Sequence, residues 1–323
     1  MFCVTMICMV SIYGPRTYAC RANHTLDSGN FNEHQSIMTN DAEPPKKTWI
    51  KRIMYRTLRL FLIAYATVLG ALLIFETALV YPGAYMKRRP QWEEPEGSSL
   101  ETPVYETSDG VKLQGLLVHR GPDKPVVVFF HGNAEKAAWQ GSFLRSVSNH
   151  LDANVLAAEF RGFVGDTPKP NEAGVLLDCQ AARKYMMERY NVRADQIILY
   201  GRSLGGGCAV AMAADGGAKA LVLERTFDQL VNVAASKFWF VPVKTLMRNR
   251  YNSVKRLEKY EGPIIQLHGE SDRLIPISHA KLLHESATNN EVKHFISVPG
   301  LGHNGALSEA TFAELMNKVK STL

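Results

Sequence analysis

Cysteine is scarce, with five residues in 323, and three of those five (Cys3, Cys8 and Cys20) lie in the first 20 positions. Such a set makes no disulfide framework, so Cys179 and Cys208, both in helix-like stretches, are expected to be buried free thiols. There is no H-E-x-x-H pair, no C-x-x-C pair and no G-x-x-x-x-G-K-[ST] loop. Gly205-Gly206-Gly207 lacks the G-x-G-x-x-G spacing of a dinucleotide loop. Those gaps argue against metal and nucleotide chemistry, and a reaction with no metal and no cofactor is expected. Acidic residues are missing altogether from Lys46 to Arg59, where six bases stand. That cluster equals the whole net charge of +6, so the pI of about 9.0 needs no nucleic-acid partner to explain it.

What is present is a globular pattern. A hydrophobic share of 46% in 323 residues fits one core of roughly 200–250 residues plus appendages. Strand-like and helix-like stretches alternate from residue 100 onward: strands at Val126 to Phe130 and Asn154 to Glu159, helices near Lys136 to His150 and Asn171 to Tyr190. This rhythm implies an α/β fold with a mostly parallel sheet, helices on both faces and active residues at the carboxyl ends of strands.

Gly201-Arg202-Ser203-Leu204-Gly205 follows the apolar run Gln196 to Tyr200 and opens a helix-like one. It reads as a nucleophile elbow, in which a serine on a sharp strand-to-helix turn exposes its hydroxyl and small residues two places either side let the strained backbone pass. A serine hydroxyl is a weak nucleophile until a histidine takes its proton, and the histidine needs a carboxylate to orient it. Asp272 ends an apolar strand pattern begun at Gly262, and His303 follows another from Val292 to Val298. His268, beside the acid loop, is the rival base, and Glu224, at the end of Ala220 to Leu223, is the rival acid. The remaining histidines lie in leader, helix or strand patterns that imply surface or structural roles.

The chain order Ser203, Asp272, His303 is that of the α/β-hydrolase arrangement. With Phe129-Phe130-His131-Gly132-Asn133-Ala134 and Glu159-Phe160-Arg161-Gly162-Phe163-Val164-Gly165 in their proper places, the chain resembles the α/β-hydrolase superfamily from about Val104 to the C-terminus. Within it, the resemblance is to membrane-anchored serine hydrolases of the serine-aminopeptidase and monoacylglycerol-lipase-like group. The resemblance implies an eight-stranded, mostly parallel sheet, catalysis by Ser203, Asp272 and His303, and an oxyanion hole from the N–H groups of Leu204 and Asn133. A short lid is expected between Thr226 and Tyr260, with Phe238, Trp239 and Phe240 as substrate-binding aromatics or as core packing. The expected reaction is hydrolysis of an ester or thioester through an acyl-enzyme. An aminopeptidase-like activity is the alternative, with Glu224, Asp228 and Glu159 as the acids to receive a peptide amino terminus, and a catalytically silent interaction protein is the third.

Upstream, Leu60 to Tyr81 is 22 residues, apolar but for Glu76. At ~1.5 Å per residue it reaches about 30 Å, the thickness of a bilayer core. We therefore expect four parts: a leader at 1–57, a transmembrane helix at 58–81, a linker at 82–99 with an acidic spacer from Pro90 to Gly97, and the hydrolase domain at 100–323. Six bases precede the apolar run and three (Lys87, Arg88 and Arg89) follow it, which places the N-terminus in the cytoplasm and the enzyme outside, with membrane lipid as a partner. Met1 to Tyr13 lacks the basic start of a signal peptide, Ala19-Cys20 is a poor lipid-attachment site, and Met38 is an alternative start.

Overall fold

The computed structural model describes residues 46–86 and 100–323. The start site, the Ala19-Cys20 feature and the acidic spacer lie outside the described residues. The chain divides into two units, residues 1–57 and residues 58–323.

Five strands carry the second unit: β5 (Val126–Phe130), β6 (Asn154–Ala158), β7 (Ile197–Arg202), β8 (Ala220–Glu224) and β9 (Ile264–Gly269). Their residues are buried on both faces, apart from the half-buried Arg202, as strands sandwiched between helices must be. Along β5 the alternation is explicit. Val126, Val128 and Phe130 pack with Val175, Cys179 and Met186 of helix α4 (Glu172–Tyr190), whereas Val127 and Phe129 pack with Leu144 and Val147 of α3 (Gly141–Leu151) and Leu315 of α10 (Glu309–Lys320). With β1 (Leu100–Glu101), β4 (Leu116–Val118) and β10 (Lys293–Val298), the eight-stranded sheet runs β1-β4-β6-β5-β7-β8-β9-β10. Only β1 and β4 enter antiparallel. The expected mostly parallel α/β-hydrolase sheet is therefore observed. A separate hairpin joins β2 (Val104–Glu106) to β3 (Lys112–Gln114).

Helix α1 (Lys46–Ile74) is the one helix among the described residues long and apolar enough to cross a membrane, over Thr48–Ile74. Its bounds differ from the expected 58–81. The helix begins 12 positions earlier, and it breaks at Phe75 into a short α2 (Glu76–Val80) and a 3₁₀ turn at Pro82–Tyr85. The break has an electrostatic cause. Glu76 is buried, and its Oε1 accepts from the N–H groups of Arg248 (2.9 Å) and Asn249 (2.9 Å) and from Asn249 Nδ2 (2.8 Å), while Oε2 accepts from Arg248 Nε (3.0 Å). The carboxylate that interrupts the apolar run is thus a fastener to the globular domain. Tyr81, fully buried, continues this seam by donating to Asn249 Oδ1 at 3.0 Å.

Replacing Glu76 by Ala strands the Arg248 and Asn249 N–H groups, each orphaned buried donor costing about 1–3 kcal/mol. A lowered urea midpoint for the full chain in detergent is the expected result. A carboxylate facing lipid would give the opposite sign on removal.

Candidate active site

Asn133, Ser203, Asp272 and His303 each follow the carboxyl end of a parallel strand, so the sheet gathers them along one rim. Ser203 sits between β7 and α5 (Leu204–Gly216) with φ +52° and ψ −116°, a strained conformation for a residue bearing a Cβ. Strain of this kind persists only where surroundings enforce it. Here the Ser203 N–H donates to Glu224 O (2.9 Å) and its carbonyl accepts from Thr226 Oγ1 (2.8 Å), pinning the turn to β8.

Ser203 Oγ lies 3.0 Å from His303 Nε2, and His303 Nδ1 lies 2.7 Å from Asp272 Oδ2. Asp272 is buried, and its other oxygen accepts from the N–H groups of Leu274 (2.9 Å) and Ile275 (2.8 Å). Burial works to raise this carboxyl, but the hydrogen bonds from His303 and Ile275 outweigh it, and its pKa falls below the ordinary value. The rival base His268 is buried with Nε2 on Ile275 O at 2.8 Å and 3.5 Å from Asp272 Oδ2; burial pushes its pKa down.

The loop after β5 is held by two carboxylates. Glu159 Oε1 faces His131 Nε2 (3.1 Å) and Oε2 accepts from Ala137 N–H (3.1 Å), while Glu135 accepts from Gly132 N–H (2.8 Å). Asn133, expected to give an oxyanion donor, is further tied from the anchor side. Its carbonyl accepts from Gly83 N–H (2.9 Å) and its Nδ2 donates to Val80 O (3.2 Å). Leu204, as the first residue of α5, has an N–H free of the helix ladder. A Cβ on Gly132 would come 3.7 Å from Ser203 Cβ, so a larger side chain there would cover the hydroxyl.

Two cavities meet at Ser203, Asn133 and Leu274. One is an open cleft of about 1050 Å³ bordered by Glu135, Arg202, Glu224, Arg225 and His303. The other, about 230 Å³, is apolar and bordered by Leu72, Leu204, Phe227, Phe238 and Leu246. Of the three aromatics expected to meet substrate, Phe238 borders the apolar cavity, and Trp239 and Phe240 border neither of these two. Trp239 and Phe240 stack edge to face at 5.9 Å and are 83% and 46% exposed, because α6 (Leu230–Lys237) ends just before them and the chain turns outward.

Arg225 is a residue the sequence did not single out. Its φ is +51°, its NH1 donates to Gly305 O at 2.6 Å, and its NH2 pairs with Glu224, so it ties the His303 loop to β8. Glu224, the rival acid, is consumed by that clamp: it also accepts from Tyr200 Oη (2.6 Å) and Arg202 Nε (3.2 Å). Only a charge pattern read across three strand ends could have revealed this arrangement.

Burial raises the Glu224 carboxyl, and the charges of Arg202 and Arg225 more than reverse this, bringing it down to about 2 from 4.5. A depressed acid contributes its full stability above its unfolded value and loses it as pH falls through the folded one, here from about 4.5 to about 2. Glu224→Gln, which leaves two arginines facing a neutral amide, is expected to cost about 3–5 kcal/mol at neutral pH. Its urea midpoint should then fall less steeply than the parent's between pH 5 and pH 3.

The model of the dienelactone hydrolase family matches residues 157–314. An uncharacterised protein of Mycobacterium tuberculosis is 31% identical over 204 residues, covering 62% of this chain and 71% of its own. Protein bem46 of Schizosaccharomyces pombe is 29% identical over 252 residues, 73% of this chain and 82% of its own. The human α/β-hydrolase domain-containing protein 17B is 26% identical over 223 residues, 68% and 75%. Among solved structures, an esterase of Pyrococcus furiosus is similar with a TM-score of 0.59 at 20% identity, covering 73% of this chain and 97% of its own. An α/β hydrolase of Vibrio vulnificus reaches a TM-score of 0.64 at 20% identity, covering 77% and 92%. Sheet order, strand-end loops and these likenesses agree: the chain belongs to the α/β-hydrolase superfamily of enzymes.

Proposed function

We propose that the protein is a serine hydrolase that cleaves a carboxylic ester or thioester through an acyl-enzyme. The observation that carries this reading is the unbroken hydrogen-bonded chain from Ser203 Oγ through His303 to Asp272, opening where the two cavities meet. His303 Nε2 takes the proton as Ser203 Oγ attacks the carbonyl carbon. The N–H groups of Leu204 and Asn133 receive the oxyanion, and Asp272 balances the imidazolium. Collapse of the tetrahedral adduct breaks the bond to the alcohol or thiol, which leaves with the proton from His303. Water, deprotonated by the same nitrogen, then releases the acid and restores the serine.

Ester cleavage is favoured over aminopeptidase action by the state of the acids near the site. Recognition of a peptide amino terminus needs a carboxylate with capacity to spare. Glu224 is engaged by Tyr200, Arg202 and Arg225, Glu159 by His131 and Ala137, and Asp228 by His279 (2.6 Å) and Asn232 (2.6 Å). The structurally similar protein of Pyrococcus furiosus is an esterase, which points the same way.

We further propose that α1 anchors the enzyme in a membrane, with the N-terminus in the cytoplasm and the hydrolase domain across the bilayer. Side chains such as Leu60, Phe61, Leu62 and Ile63 of α1 are exposed, and bases concentrate before them. Since the helix ends at Ile74, the spanning portion draws on residues before Leu60, with Arg56 and Arg59 extending their head groups to the cytoplasmic interface.

Ser203→Ala should lower kcat on p-nitrophenyl esters by about four to six orders of magnitude while the protein still unfolds cooperatively. It should also abolish labelling by a fluorophosphonate probe. Faster turnover of aminoacyl amides than of esters would overturn the substrate assignment. Trypsin added to sealed, right-side-out cells should digest the hydrolase domain; full protection would reverse the orientation.

A further inference from the structure

The apolar cavity has a wall of unusual origin. Leu69, Leu72 and Leu73 of α1 line it on one side and Phe238 and Leu246 of the cap line it on the other, while Ser203 and Leu204 close its inner end. The few polar side chains on its border each have a partner already. Glu76 is spent on Arg248 and Asn249, Asn133 Nδ2 on Val80 O, and Lys237 Nζ on Arg273 O at 2.6 Å. A peptide or sugar entering this space would leave most of its donors and acceptors unmet, whereas every methylene of a hydrocarbon chain gains by leaving water.

A substrate whose carbonyl meets Ser203 has two arms, and the two cavities have opposite chemistry. We propose that the apolar cavity holds the fatty acyl chain of an ester or thioester and that the charged cleft takes the leaving group. The acyl chain enters along α1 directly from the bilayer. This assignment rests on the serine-hydrolase reading and adds to it a substrate class and a role in substrate binding for the anchor helix.

Three further observations fit a membrane-side entrance. Tyr65 Oη, on α1, donates to the carbonyl of Phe240 at 2.9 Å, so the end of the cap lies against the apolar helix. Trp239, at 83% exposure, and Phe240 beside it present the kind of aromatic rings that favour a boundary between lipid and water. Val80, the last residue of α2, and Gly83, in the turn after it, hold Asn133, so the segment that leaves the membrane also braces the loop offering the second oxyanion donor. A chain drawn from hydrocarbon into this cavity never crosses water.

The test uses the full-length protein in phosphatidylcholine nanodiscs with p-nitrophenyl acetate and p-nitrophenyl octanoate. The parent should prefer the octanoate in kcat/KM by about tenfold or more. Leu72→Trp fills the cavity from the α1 wall and Leu246→Trp from the cap wall, so a folding defect in one does not decide the matter. In each, the octanoate-to-acetate ratio of kcat/KM should drop by about tenfold, with most of the change in KM. A parent with no preference between the esters overturns the proposal, as does an unchanged ratio in both tryptophan variants. Failure of the parent to cleave either ester sinks the serine-hydrolase reading instead, which separates the two outcomes.

Discussion

The site depends on how closely α5 approaches the end of β5. A Cβ on Gly205 would strike the carbonyl carbon and oxygen of Phe130, and one on Gly201 would strike the Gly205 carbonyl. Only because both are glycine can the helix start directly under the strand, and only there does Ser203 take its strained φ of +52°. The same approach brings the orphan N–H at the head of α5 beside the loop that carries Asn133. Ser203 and both proposed oxyanion donors thus share one backbone contact, and a single added methyl group would separate them.

Around that contact, carboxylates do structural work. Asp272 turns toward His303, but Glu224, Glu159, Glu135 and Glu76 each hold one loop of the rim: Glu224 the His303 loop through Arg225, Glu159 and Glu135 the Asn133 loop, and Glu76 the segment after the apolar helix. Buried charges of this kind contribute little net stability against apolar replacements, yet removing one partner is costly. They fix positions more than they add free energy. Such an arrangement suits a site in which an error of 1 Å in the His303 loop would break the hydrogen bond to Ser203.

Local chemistry made much of this legible in the sequence. The elbow announces itself because a strand, two glycines and a helix must occur in one short span, and the acid and base loops announce themselves because each follows a run of buried strand residues. Arg225 and the occupied state of Glu224 were not legible, since a clamp assembled from β7, β8 and the loop after β10 leaves no periodic trace. The end of the apolar helix differs from the expected bound for a related reason. Leu60 to Tyr81 is apolar but for Glu76, and apolarity reads the same whether a residue faces lipid or protein. Glu76 was the available signal: a carboxylate inside an apolar run marks the point where the chain must find hydrogen-bond donors, and Arg248 and Asn249 supply them. The outward turn at Trp239 was likewise hidden, because an aromatic triplet carries no record of where its helix stops.

The position of that boundary changes what the N-terminal helix is for. An apolar run ending at Tyr81 and followed by a spacer would act as a tether, and the catalytic domain could be cut from it without consequence. A helix that breaks at Phe75, sinks Glu76 and Tyr81 into the domain and lends Leu72 to the wall of a cavity touching Ser203 is a component of the domain. Removing residues before Glu76 would expose Phe238 and Leu246 to water and open the apolar cavity on one side. On the proposed reading, anchoring and substrate binding would draw on the same leucines, and the apolar cavity is complete only with the helix in place.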